Sequence, residues 1–392
     1  MNYDKYLNKR VAAVPPSGIR RFFDLAATMK DAISLGVGEP DFVTPYHIRD
    51  AAVNSIIDGE TQYTPNRGTM PLREEIAAYL QGRYNTKYNP ATEILVTVGA
   101  SEAIDLALRA MIEPGDEVLV PEPSYVSYSP SVIFAGGTPV GVVTTEETEF
   151  RLTAEALRAA ITPKTKALIL PYPNNPTGAV MSREDLEKIA AVAAETGIIV
   201  ISDEIYSELT YGDKQHCSFA SIPGMWEQTI TINGFSKAFA MTGWRVGYVC
   251  GPEELIKVMT KIHQYTIMCA SRQGQVAAYE ALKAGRENGY EDVLHMKESY
   301  DRRRRLMVSG FRSMGLDCFE PLGAFYVFPS IKSTGLTSEE FCERLLKEKK
   351  IACVPGTAFG ESGQGHIRCS YATAIDKLNI ALERMGEFVR GL

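Results

Sequence analysis

Asn233-Gly-Phe-Ser-Lys237-Ala-Phe-Ala-Met-Thr-Gly-Trp-Arg245-Val-Gly247 lies between two apolar runs, 229–232 and 246–250, that read as buried strands. A single lysine in a turn reads first as a solvated surface residue, because lysine is almost never buried without a partner. Lys237, between two buried strands, is costly unless its charge is removed or paired. An imine with an aldehyde removes it, and a desolvated lysine is suited to that chemistry. Arg245 is flanked by Gly243 and Gly247, small neighbours that let a guanidinium approach an anion such as phosphate. An imine-forming lysine with a phosphate-binding arginine points to pyridoxal phosphate, which carries both groups.

Outward from this stretch, other apolar runs end in chemistry-bearing residues. The run 198–201 ends in Ser202-Asp203-Glu204-Ile205-Tyr206. An acid at the tip of a buried strand needs a partner, and a carboxylate beside a pyridine nitrogen keeps that nitrogen protonated. The run 166–170 is the pattern of a strand buried on both faces of a parallel sheet. It ends in Pro171-Tyr-Pro-Asn-Asn-Pro-Thr-Gly178, a loop held by prolines where α/β sheets place ligands. The run 94–97 leads through Gly99-Ala100-Ser101 into a helical pattern, and free N–H groups at a helix start form an anion site. Taken singly, Asn175 is a turn residue and Ser101 an ordinary helix cap.

Three further segments lie apart from the strand–helix rhythm. Ile33-Ser-Leu-Gly-Val-Gly38-Glu-Pro-Asp41 reads as a strand running into a turn. Gln62-Tyr63-Thr-Pro-Asn-Arg-Gly68 is a turn-rich loop. Gly365-His-Ile-Arg368-Cys-Ser-Tyr-Ala372 alternates as a strand with an arginine at its centre. Helical spacing is also expected over 19–30, 183–196, 253–284, 300–314, 338–347 and 374–389. The run Arg302 to Arg305 reads as a solvated helix face.

Taken together these segments resemble the class I/II aminotransferases of the pyridoxal-phosphate fold type I group, in family order and over essentially the whole chain. The likeness is to the aspartate/aromatic type, with the nearest look to bacterial enzymes acting on N-acetyl-diaminopimelate. The resemblance implies that Lys237 forms the internal aldimine and that Asp203 pairs with the pyridine nitrogen. Tyr206 and Asn175 would meet the cofactor's phenolic oxygen, and Tyr125 would lie over the ring. Gly99, Ala100, Ser101, Ser236 and Arg245 would hold the phosphate, joined by Tyr63 from a neighbouring subunit. On the substrate side it implies Gly38, Tyr125 and Asn175, with Arg368 on the α-carboxylate. The catalytic set would be Lys237, Asp203 and Tyr206, in a ping-pong transfer from an L-amino acid to a 2-oxo acid such as 2-oxoglutarate. Gly234 stands where some relatives carry serine. Another reaction on the same scaffold, such as C–S β-elimination, shares the cofactor residues and stays open.

Composition bounds the rest. At 392 residues the chain exceeds one ordinary core, so two domains are expected. The expected fold is α/β: a large domain with a mostly parallel sheet between helices over 46–285, and a smaller α+β domain over 286–392. Residues 1–45 would form an N-terminal arm and part of the small domain. A net charge of −7 argues against nucleic acid or an anionic membrane as partner. Seven scattered cysteines without zinc spacing fit free thiols in a cytoplasmic enzyme that binds no metal. A homodimer with sites at its interface follows from the resemblance alone.

Overall fold

The computed structural model describes residues 1, 3–16, 18, 29, 31–213 and 215–392. The helix expected over 19–30 therefore lies outside the described residues. The fold is α/β, built on a seven-stranded sheet. Its strands are β2 (Ile94–Thr97), β3 (Glu117–Glu122), β4 (Thr138–Val143), β5 (Thr165–Leu170), β6 (Ile199–Asp203), β7 (Thr229–Gly234) and β8 (Gly247–Cys250). Their order across the sheet is β2-β8-β7-β6-β5-β3-β4, and only β8 runs against its neighbours.

Strands β2, β7 and β8 are buried along their whole length, as the unbroken apolar runs require. The strand of this sheet missing from the sequence reading, β4, is one of its two edge strands. It is half exposed and carries Pro139 and Gly141, which weaken a strand pattern and are tolerated at an edge.

The carboxyl ends of β2, β5, β6 and β7 open on the same side. Because β8 is antiparallel, its first residue, Gly247, sits opposite Gly234 at that same end. Residues far apart in sequence are thereby gathered at one rim.

A second core joins Leu35 to side chains of 296–388. It is built on two small sheets. The antiparallel one comprises β11 (Val354–Pro355), β12 (Ile367–Ser370) and β9 (Tyr326–Val327), and the parallel one pairs β1 (Ile33–Ser34) with β10 (Ile351–Ala352). The helix Glu291–Ser313 starts nine residues before the expected 300, and Val293 packs on the large-sheet side while Met296 and Tyr300 pack here. Its arginine run is solvated on one side only. Arg304 is buried and bonds Asp301 and Glu320, and Arg303 bonds Asp41. Arg302 and Arg305 are exposed, the latter bonding Asp301.

Candidate active site

A cavity of about 340 Å³ opens at the gathered strand ends. It is lined by Gly38, Ala100, Ser101, Tyr125, Asn175, Asp203, Tyr206, Ser236, Lys237, Arg245 and Arg368, which are the residues singled out in the sequence with two exceptions. Gly99 lies just behind the wall and Tyr63 lies apart, 78% exposed, at a separate hollow with residues 269–273.

The floor is set by β6 and β7. Asp203 is the last residue of β6, so its carboxylate stands at the strand tip, buried. The Tyr128 hydroxyl donates to its Oδ2 at 2.8 Å and the Ile205 N–H to its Oδ1 at 3.2 Å. Burial raises its pKa to about 6 despite these two bonds. Lys237 follows β7 by three residues, and its Nζ donates to the Gly38 carbonyl at 2.6 Å. Its Nζ lies 5.8 Å from the Tyr206 ring centre and 5.7 Å from that of Phe325. Among the described residues no carboxylate pairs with it, and desolvation lowers its pKa to about 8.

At one end, the helix Gly99–Met111 presents an N-terminus that no side chain caps. Its first amides are free to meet an anion. Arg245, in a left-handed conformation with φ 53°, leans across this point. A Cβ on Gly99 would sit 2.6 Å from Arg245 Nη2, and one on Gly247 would sit 2.6 Å from the Ala100 nitrogen. Glycine at 99 and 247 is therefore what allows guanidinium and helix start to share one cradle.

At the other end stands Arg368, buried on β12 with no carboxylate partner among the described residues. Nη1 donates to Asn175 Oδ1 at 2.9 Å and Nη2 to the Gly36 carbonyl, while Nε has no partner. The guanidinium stacks between Tyr326 and Phe359, at 4.5 and 4.8 Å from the ring centres. A buried guanidinium that faces a cavity with no acid beside it can take an anionic group of a ligand. Asn174, beside Asn175, is spent on its own turn, accepting from the Thr177 N–H and hydroxyl.

Sequence reasoning missed Tyr128, Tyr326 and Glu39. Tyr326 bonds the Tyr206 hydroxyl at 2.9 Å, and Glu39 accepts from Thr242 at 3.1 Å at the rim. Tyr128 opens the helix Tyr128–Ala135 three residues after Tyr125, which lies in the preceding loop, and packs edge-on to it; the close pair of aromatics was the available signal.

An amine, a buried acid, an anion cradle and a free guanidinium thus share one cavity. The family model for aminotransferase class I and II matches residues 30–385. The chain is 50% identical over 384 residues to an aspartate aminotransferase of Pyrococcus abyssi, covering 98% of each. It is 45% identical over 383 residues to a Bacillus subtilis protein named "Probable N-acetyl-LL-diaminopimelate aminotransferase", covering 98% of this chain and 95% of that one. The crystal structure of an aromatic aminotransferase from Pyrococcus horikoshii superposes with a TM-score of 0.90 at 48% identity, over 95% of this chain and 99% of that one. The chain belongs to the class I and II aminotransferases, enzymes that move an amino group between an amino acid and a keto acid.

Proposed function

We propose that this cavity holds pyridoxal phosphate and that Lys237 carries the transfer. Two half-reactions would move the amino group from an L-amino acid to a 2-oxo acid, with 2-oxoglutarate as acceptor. The observation that carries the reading is Lys237 itself, a desolvated amine held only by a backbone carbonyl and facing a buried acid and an uncapped helix.

The residues fit the cofactor. Gly99, Ala100, Ser101, Ser236 and Arg245 take the phosphate in the cradle that a Cβ at 99 would fill. Asp203 takes the ring nitrogen, and a cation there offsets the burial that raises its pKa. Tyr206 and Asn175 meet the phenolic oxygen. Asn175 Oδ1 is occupied by Arg368, which leaves its amide N–H₂ as the donor. Tyr125 covers the ring face. When bound, the cofactor supplies an aldehyde that takes up the amino group and a ring that draws electrons from the α-carbon.

The chain's own residues do the rest. Arg368 binds the α-carboxylate and, with the Gly38 backbone, turns the Cα–H bond toward Lys237. With a pKa near 8, Lys237 has an appreciable free-amine fraction at neutral pH. As amine it takes the α-proton, and as ammonium it gives a proton back.

The enzyme works as a homodimer in which Tyr63 reaches the neighbouring subunit's phosphate. That arrangement is supported by the exposure of Tyr63 and of Tyr46, Val53, Ile56 and Ile57 on the helix Tyr46–Ile57. Seven free cysteines support a cytoplasmic site of action, and no described helix is long and apolar enough to cross a membrane.

Lys237→Ala should lower turnover with 2-oxoglutarate by about 10⁴-fold or more, with partial recovery on adding a small primary amine. Assayed across aspartate, phenylalanine, tyrosine and N-acetyl-diaminopimelate, the wild type should yield a keto acid and glutamate. Unimpaired turnover by the variant without added amine would overturn the role of Lys237. Pyruvate and ammonia from a cystathionine-like substrate, with no acceptor, would favour β-elimination instead.

A further inference from the structure

We propose that Arg303 and Asp41 form a positioning pair for the substrate end of the site, pinning the strap 36–42 whose carbonyls hold Arg368 and Lys237. The inference rests on the functional reading above. The strap has no regular secondary structure. One end is tied by Leu35, whose N–H donates to Ala352 O at 2.8 Å and whose carbonyl accepts from Ser370 N at 2.6 Å. The other is tied by Thr44, which donates to Ala240 O at 2.6 Å and accepts from Trp244 Nε1 at 3.0 Å. Between these ties the strap crosses the cavity. The Gly36 carbonyl accepts from Arg368 and the Gly38 carbonyl from Lys237.

Each contact is a single hydrogen bond to backbone, made for Arg368 beside its Asn175 bond and ring stacking, so the angle at which each cation faces the cavity depends in part on where the strap lies. Within the strap Glu39 is tied to Thr242, and its outer side is held by Arg303. Its Nη1 reaches both Asp41 oxygens, at 2.8 and 2.9 Å, and the Tyr371 carbonyl at 3.5 Å. Its guanidinium lies over Phe42, the next strap residue, and over Tyr300, 5.5 and 5.6 Å from the ring centres. Phe42 in turn meets Tyr300 edge-on at 5.5 Å. The Arg303 side chain is 12% exposed where that of Arg305 is 65% exposed. The Asp41 side chain is 27% exposed, so the pair is shielded mainly on the arginine side, where two rings and both carboxylate oxygens fix the guanidinium more firmly than a fully exposed pair would.

Neither residue lines the cavity, so the loss of the pair should act chiefly through Arg368 and substrate binding. Asp41→Asn keeps the shape and removes the charge. It should raise KM for both amino donor and 2-oxo acceptor by about 10-fold or more, change kcat less than about threefold, and leave cofactor retention and Tm at wild-type values. Arg303→Lys should fall between that variant and the wild type. Asp41→Asn with Arg303→Met should be no worse than the worse single variant, because one interaction is lost once. Arg305→Met should behave as wild type. A KM within twofold of wild type in a folded Asp41→Asn enzyme, or effects that add in the double variant, would overturn the pairing. If the wild type itself bound no pyridoxal phosphate or failed to transaminate, the functional reading would fall instead.

Discussion

Two buried carboxylates five residues apart, Asp203 and Glu208, meet opposite fates. Burial opposes the charge on both. At Glu208 it is outweighed: Arg83 donates through Nε at 2.9 Å and through Nη2, Tyr79 at 2.6 Å and Tyr84 at 3.0 Å, and its pKa lies below the usual value. At Asp203 burial prevails over one tyrosine and one amide, and the pKa rises to about 6. The basic partners differ in the same way. Arg83 is joined to its carboxylate, whereas Lys237 has only a carbonyl and a pKa lowered to about 8. Arg304 and Arg368 repeat the contrast, the first with Asp301 and Glu320, the second with no acid. In each of these pairs the scaffold residue is matched by an opposite charge, and the cavity residue is left to be satisfied by what the cavity binds.

That contrast breaks if substitutions at the two acids act alike. Glu208→Gln should destabilise the protein by about 3 kcal/mol, because a mostly buried ion pair loses one partner. Since its folded pKa is depressed, Glu208 contributes stability above the ordinary carboxylate range and loses it as pH falls through the folded value. The variant should therefore show a shallower acid limb in thermal melts. Asp203→Asn should have the opposite sign, stabilising the cofactor-free protein by about 2 kcal/mol at pH 7.5. Its folded pKa is raised, so Asp203 favours the fold below 3.8 and that contribution disappears as pH climbs through about 6. The gain should accordingly vanish in melts near pH 4, while turnover by the variant is lost at every pH. Equal destabilisation by both substitutions would show that Asp203 is an ordinary structural acid.

Much of the site was legible because its residues sit at the ends of apolar runs. Asp203 ends a buried strand and Lys237 and Asn175 follow others, so strand-finding located them together at one rim. Arg368 stood out as a charge inside an alternating strand, and Gly99 as a glycine between strand and helix. What was not legible depends on contacts between distant segments. Nothing near Asp41 in sequence announces Arg303, and a run of four arginines looks solvated until the Glu291–Ser313 helix is seen to lie across the strap. Tyr326 sits in an apolar run where an aromatic reads as core, and it is core on one side and cavity wall on the other. Tyr63 matched its motif and yet faces solvent, and a contact with another copy of the chain is a proposal that no sequence pattern within one chain displays.

The central claim is that one amine, at position 237, takes up the cofactor's aldehyde. Protein saturated with pyridoxal phosphate should be yellow and should bleach on borohydride treatment. Digestion and mass spectrometry should then place the phosphopyridoxyl group on the peptide carrying Lys237 and on no other lysine. Attachment should quicken as pH is raised to about 8 and level off there, following the lowered pKa of that amine. A colourless protein, or label spread over surface lysines with a rate still climbing toward pH 10, the ordinary lysine range, would contradict it.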